Sequence, residues 1–154
     1  MKAWMVRAGS NGEREDKALD GGRLLPGFRQ FEEDLSDFKS RKELLEYLRE
    51  RYGASKSNHT LGSWVGQMWR FAHDMGEGDY VAMPMKNVAG TIAIGQIDGA
   101  YLFDSQAPVG CRHIRPVKWS GVTVERDALG PDLRASLGAF PRFANWRNMI
   151  FHHG

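Results

Sequence analysis

The stretch Ser63-Trp64-Val65-Gly66-Gln67-Met68-Trp69-Arg70-Phe71, followed by Gly78-Asp79 and then Tyr80-Val81-Ala82-Met83-Pro84, decides how this chain folds. Its first part carries apolar residues at helical spacing, and Gly78-Asp79 turns the chain into a strand. On a wheel of ~100° per residue centred on Trp64, the residues Val65, Met68, Trp69, Phe71, Ala72 and Met75 fill one arc. Gly66, Gln67, Arg70, His73 and Asp74 fill the other. The spacing predicts a helix from about Leu61 to Met75, with Trp64 in the middle of its apolar face and Trp69 at the edge. Two readings stay open for the aromatics. They seal the helix onto a sheet, or Ser63-Trp64, in the first turn where N–H groups lack helical partners, faces a cleft. A π-face with hydrogen-bond donors beside it is equipment for gripping a nucleobase.

Working outward, Ser40-Arg41-Lys42-Glu43 is a capping box, and Leu44, Leu45 and Leu48 follow on one face, so residues 41–52 form a helix that stops before Gly53. Residues 54–60 read as a polar loop. On the N-terminal side, residues 3–8 read as a strand and 9–20 as a polar, glycine-containing surface loop. Residues 23–28 read as a second strand that breaks at Pro26-Gly27. After Asp79 the period is that of strands: residues 79–84, 88–97, 101–103 and 112–119, the last alternating at 113–115 as a strand covered on one face does. Asp127-Ala128-Leu129 and residues 131–137 read as short helical turns, and 143–151 as a last helix. Strands from both ends surround a middle pair of helices. The expected class is α+β: a small, curved β-sheet or barrel of about five or six strands flanked by helices.

At 154 residues the chain has room for one domain with a real core. Its one cysteine, Cys111, excludes an internal disulfide and any zinc site built from clustered cysteines, and favours a reducing, cytoplasmic setting. The N-terminus lacks the apolar run of a signal peptide, and no segment approaches the ~20 apolar residues of a membrane span. Residues 112–154 hold 7 Lys+Arg against 3 Asp+Glu, and residues 1–111 hold 14 against 16, so the C-terminal third is mildly basic. Such a surface can face phosphates or simply be solvated. The histidines, His59, His73, His113, His152 and His153, show neither zincin nor deaminase spacing, and there is no P-loop and no G-x-S-x-G. Glu15-Asp16-Lys17 matches half of a metal-dependent nuclease motif, with Glu13 upstream, a match short enough to arise by chance. The residues point to no cofactor, no metal and no catalytic set.

The order of segments resembles the N-terminal domain that precedes the nuclease domain of Mrr-type restriction endonucleases. The matching elements include residues 4–9, 24–28, 63–71, 78–81, 94–97, 112–119 and 133–138. That domain is similar to the EVE and YTH domains of the PUA-like superfamily. The resemblance implies a PUA-like curved sheet over residues 1–140, with 141–154 as a C-terminal extension of helical character. It also implies a DNA-binding reader that holds a modified base, N6-methyladenine or a modified cytosine, flipped into an aromatic cage. The reader would be the specificity module of a modification-dependent restriction system, with a nuclease domain in cis or trans. No nuclease domain is present here, so the chain itself is expected to be no enzyme. By this resemblance the pocket comprises Phe28, Ser63, Trp64, Tyr101 and Phe103. Arg7 maps to a base or backbone contact, and Lys56, Arg70, Arg112, Arg115 and Lys118 are further cations that can reach the nucleic acid. The chain departs from the pattern in carrying Phe28 where a tryptophan is usual and Ser63 where an asparagine is usual. An RNA-binding module of the same fold, and a structural or oligomerising domain without a pocket, are the alternatives.

Overall fold

A single 13-residue strand, β6 (His113–Glu125), is the member on which most of the sheet is assembled. The computed structural model describes residues 2–9 and 11–125. The turns expected at 127–129 and 131–137, the helix expected at 143–151 and the extension 141–154 lie outside the described residues. The other strands are β1 (Ala3–Met5), β2 (Arg23–Leu24), β3 (Tyr80–Pro84), β4 (Thr91–Ile97) and β5 (Leu102–Phe103). Their order is β1-β3-β4-β6-β2, with β5 also paired to β6. β1 and β3 run parallel, and every other pair is antiparallel. The class is as expected, α+β: a curled, half-barrel sheet of six strands among the described residues, with three α-helices packed on it.

The curl has a local cause. Ala93 pairs with Thr123 but Gly95 pairs with Trp119, so β6 carries two extra residues where it passes β4. Gly121, at φ 76°, takes up the left-handed step that such a bulge needs. Gly95 sits under the crossing: a methyl group there would lie 2.6 Å from Val117 Cγ1 and 2.8 Å from Trp119 Cε3. Gly95→Ala should therefore destabilise the protein by about 1–3 kcal/mol through overpacking, read as a lowered urea midpoint with an unchanged m-value.

The helices are α1 (Glu15–Gly21), α2 (Arg41–Tyr52) and α3 (Asn58–Trp69). The capping box of α2 forms as read: Ser40 Oγ accepts from the Glu43 N–H at 3.1 Å. The Glu43 carboxylate accepts in return from the Lys39 N–H at 2.9 Å, one residue before the cap. Leu44 and Leu48 are buried, as are Val65, Met68 and Phe71 on the apolar arc read for α3 and its continuation.

Three expectations are corrected. Residues 9–20 are not a surface loop throughout. Glu15 is fully buried, and its carboxylate accepts from the Lys86 N–H at 2.7 Å and the Asn87 N–H at 3.0 Å. Arg14, also buried, donates to the Leu25 and Pro26 carbonyls at 2.9 and 3.0 Å. The Glu15 bonds hold α1 against the turn before β4, and the Arg14 bonds hold its start against the segment after β2. The Glu15 bonds also commit the first carboxylate of the nuclease-like tripeptide to backbone donors. Next, α3 begins three residues earlier than read, because Ser57 is its cap and accepts from the Thr60 N–H at 3.1 Å. Last, His113, Ile114 and Arg115 are all buried, so β6 is covered on both faces there.

Candidate nucleic-acid interface

The five residues expected to line a base pocket do not border one cavity. Ser63 and Trp64 are the sixth and seventh residues of α3, past the turn whose N–H groups lack partners. Ser63 is exposed and accepts from Gln67 Nε2 at 3.3 Å. Trp64 is half-buried, its ring edge-on to Tyr52 at 5.4 Å. Phe28 is 1% exposed and belongs to the core. It follows Gly27 and holds φ 49°, a left-handed backbone that phenylalanine adopts rarely.

Three of the five do converge, but on an imidazole rather than a void. Phe28 meets His113 edge-on at 5.7 Å, Tyr101 stacks beside it at 6.0 Å, and Phe103 is tilted over it at 5.2 Å. Phe31 completes the ring on a fourth side at 6.1 Å. Each polar atom of this cluster has a partner. His113 Nε2 lies 2.6 Å from the Phe31 carbonyl, which can only accept, so Nε2 carries the proton. Nδ1 then accepts from the Tyr101 hydroxyl at 2.7 Å, and that oxygen accepts from the Leu35 N–H at 3.2 Å. Burial lowers the His113 pKa from its ordinary value, partly offset by the Phe31 carbonyl, so the ring is held neutral. Burial likewise raises the Tyr101 hydroxyl well above the usual phenol range, and it remains a donor. Nothing local in Arg112-His113-Ile114-Arg115 marks His113 as the centre of this cluster.

The other face of this arrangement is a cleft of about 370 Å³. Tyr101 contributes one wall. Ala72, His73 and Met75 contribute another, at the end of α3, where the helix widens into a π turn (Arg70–Asp74) closed by the Met75 N–H on the Arg70 carbonyl at 2.9 Å. Such widened turns recur at functional sites. His73 stacks on Trp69 with ring centres 3.8 Å apart, and its Nε2 lies 3.1 Å from the Leu35 carbonyl. Leu35, in a 3₁₀ turn (Leu35–Asp37), thus pins both rings, Tyr101 through its N–H and His73 through its carbonyl. The next residue, Ser36, also lines the cleft.

Glu77 lines the rim and Arg115 is the buried cation of the lining. The turn carrying Glu77 is fixed by Asp79, the acid of the Gly-Asp pair. The Asp79 carboxylate accepts from the Gly76 N–H at 2.9 Å, the Lys2 N–H at 3.0 Å and Trp4 Nε1 at 3.0 Å. Arg115 is 3% exposed and donates from Nη2 to the Met75 carbonyl at 2.8 Å. Its Nε is buried and has no hydrogen-bond partner, and no carboxylate lies within ion-pairing distance among the described residues. Burial lowers its pKa, and the more distant charges of Asp79 and Glu77 partly restore it. Burying a guanidinium with an unpaired N–H carries a desolvation cost.

The remaining expected cations are dispersed. Arg7 borders a separate small cavity of about 110 Å³ with Lys86. Lys56 is exposed between α2 and α3, and Lys118 is exposed on β6 opposite Gln96. Arg70 is half-buried at the start of the π turn. Arg112 is committed elsewhere: Nη1 lies 3.0 Å from Glu32, off the hydrogen-bond line, and Nε donates to the Ala107 carbonyl at 2.9 Å. Of the residues expected to touch nucleic acid, Tyr101 and Arg115 share the large cleft. His73, Glu77 and Ser36 join them there and were not singled out in the sequence.

Fold and site together define an α+β protein with a curled sheet and a cleft that combines an aromatic wall with a buried cation. The chain belongs to the family described as Domain of unknown function (DUF8426), whose model matches residues 4–130. No curated protein and no solved structure matches the chain. No helix among the described residues is long and apolar enough to cross a membrane, and they contain no group of three or more His, Cys, Asp or Glu placed to hold a metal ion.

Proposed function

We propose that this protein is a cytoplasmic, PUA-like nucleic-acid reader that takes a modified base, flipped from duplex DNA, into the cleft walled by Tyr101. The partner it serves is a nuclease domain, in cis or in trans. The observation that carries the reading is the cleft itself: an aromatic wall, an apolar side formed by Ala72 and Met75, and the buried cation Arg115. A planar heterocycle satisfies all three at once. Its face covers the tyrosine, its methyl group enters the apolar side, and its ring acceptors face the cation of the lining. The pinning of Tyr101 and His73 to one residue supports the same reading, because pre-formed walls lose little entropy on binding. The wall set differs from a three-sided aromatic cage, since Phe28 and Trp64 pack in or against the core.

Burial of one methyl group contributes roughly 1 kcal/mol and stacking on an aromatic ring ~1–3 kcal/mol per base. Duplex flipping costs a few kcal/mol, which backbone contacts from exposed lysines must offset. Binding to a methylated duplex should then exceed binding to its unmodified twin by about tenfold to a hundredfold and weaken steeply with salt. Fluorescence anisotropy of the two duplexes at several salt concentrations checks this. Tyr101→Phe should keep the discrimination, and Tyr101→Ala should abolish it. Equal binding of both duplexes by the wild type at every salt concentration overturns the reading. Tighter binding of RNA than of DNA of the same sequence transfers it to RNA.

A further inference from the structure

We infer that residues 126–154, which lie outside the described residues, return over the outer face of the sheet and cover an apolar cluster there. The segment after β6 is then a structural layer of this domain. The inference is independent of the base-binding reading above.

Side chains alternate between the two faces along a strand. Trp4, Val81, Met83 and Ala93 point to the inner face, where they join clusters that include side chains of α1, α2 and α3. Their neighbours Ala3, Ala82, Ile92 and Ile94 point to the outer face and form a cluster of their own, with Tyr80 and Val124 packed against it. The register gathers them: Ala82 is opposite Ile94, and Ile92 is opposite Val124. Every one of these residues belongs to a strand, and no helix among the described residues contributes to the cluster.

This face is nevertheless dry. Ala3, Ala82, Ile92 and Ile94 are each no more than 2% exposed. Neighbours in a sheet screen one another's flanks, not their outward tips, so such burial calls for a layer above them. The burial is that of a single chain, so the layer belongs to the same chain rather than to a second copy.

The polypeptide after β6 is placed to supply it. β6 ends at Glu125, opposite Thr91 and next to Val124, at the border of the cluster. In the helix expected at 143–151, Phe143, Trp146 and Ile150 fall within ~60° of one another on a wheel of ~100° per residue, with Asn145 and Asn148 on the opposite side. A helix of that length is ~14 Å long, and four strands spaced at ~4.8 Å are ~14 Å across. The residues between β6 and that helix can cross this width easily, at ~3.3 Å per residue when extended.

A photo-cross-link tests the contact in the full chain. p-Benzoylphenylalanine in place of Tyr80 keeps an aromatic ring at the edge of the cluster. On illumination it should cross-link within one chain to a peptide from residues 126–154, identified by mass spectrometry. Cross-links to a second copy, or to other segments only, overturn the inference. Thiol labelling gives a second readout. Ala82→Cys places a thiol in the outer cluster, while the native Cys111, buried in a cluster on the inner face, reports whether the fold is intact. The introduced thiol should react at least about a hundredfold more slowly than in urea, at every protein concentration. Adding Phe143→Asn, Trp146→Asn and Ile150→Asn should speed its reaction about tenfold or more while Cys111 stays protected. An introduced thiol that reacts freely in the folded chain, or whose protection is lost on dilution or is unmoved by the three substitutions, overturns the inference. If the three substitutions release Cys111 as well, the cross-link from position 80, made with residues 126–154 unaltered, decides.

Discussion

Replacing His113 with alanine should destabilise the protein by about 3–5 kcal/mol, the range for removing a buried ring, with further loss from stranding the Phe31 carbonyl and the Tyr101 hydroxyl. The imidazole fills the space between Phe28, Phe31, Tyr101 and Phe103 and is fully buried. Alanine leaves a void lined by aromatic rings that are themselves fixed by other contacts, so the site collapses poorly. Equilibrium denaturation in urea measures the loss. His113→Gln separates packing from charge. Because burial depresses the folded-state pKa of His113 below its ordinary value of 6.5, the unfolded chain binds a proton before the folded chain does. Stability from this residue is therefore present above about pH 6.5 and falls as the pH drops below it, down to the folded-state pKa. The glutamine variant should lose this part of the acid sensitivity. An unchanged pH dependence would locate the titration elsewhere.

The second large effect is expected at Glu15. Its carboxylate accepts from the N–H groups of Lys86 and Asn87 across 71 and 72 residues of sequence, and charge-assisted bonds of this kind contribute about 1.5–3 kcal/mol each. The turn itself is exposed, so water recovers part of that for the freed N–H groups. Glu15→Ala should lower stability by about 2–4 kcal/mol, and Glu15→Gln by roughly half as much, since one acceptor oxygen remains. Native-state hydrogen exchange gives a sharper readout: the Lys86 and Asn87 amides should lose protection ahead of those in β3 and β4. Equal loss across the sheet would mean that α1 and the turn unfold only with the whole domain.

Much of the fold was legible because short-range chemistry encodes it. The Ser40–Glu43 box placed α2, and the apolar arc on Val65, Met68 and Phe71 placed the buried side of α3. What was not legible depended on partners distant in sequence. Residues 9–20 look like a loop until the carboxylate of Glu15 meets the turn at 86–87. The cap of α3 hides in Ser57-Asn58-His59-Thr60, where polar residues give no amphipathic signal, and this misplaced Ser63 and Trp64 into a first turn. The cleft was illegible for a similar reason. Ser36, His73 and Glu77, Tyr101, and Arg115 come from four separate segments, and nothing local marks an arginine on a strand as buried.

The position of β6 in the chain has a consequence for synthesis. β2 and β5 pair with β6, and neither pairs with any other described strand, while β4 has one face of its ladder open until β6 arrives. A nascent chain that has emerged only as far as residue 112 can assemble β1, β3 and β4 and the α2–α3 hairpin, but it leaves the open edge of β4 exposed to other chains. Closure waits until residues 113–125 have emerged, and the contacts then made span up to 93 residues, from Arg23 to Pro116. Non-local pairing of this kind is slow. The interval before β6 leaves the ribosome is when a chaperone would matter most to this protein.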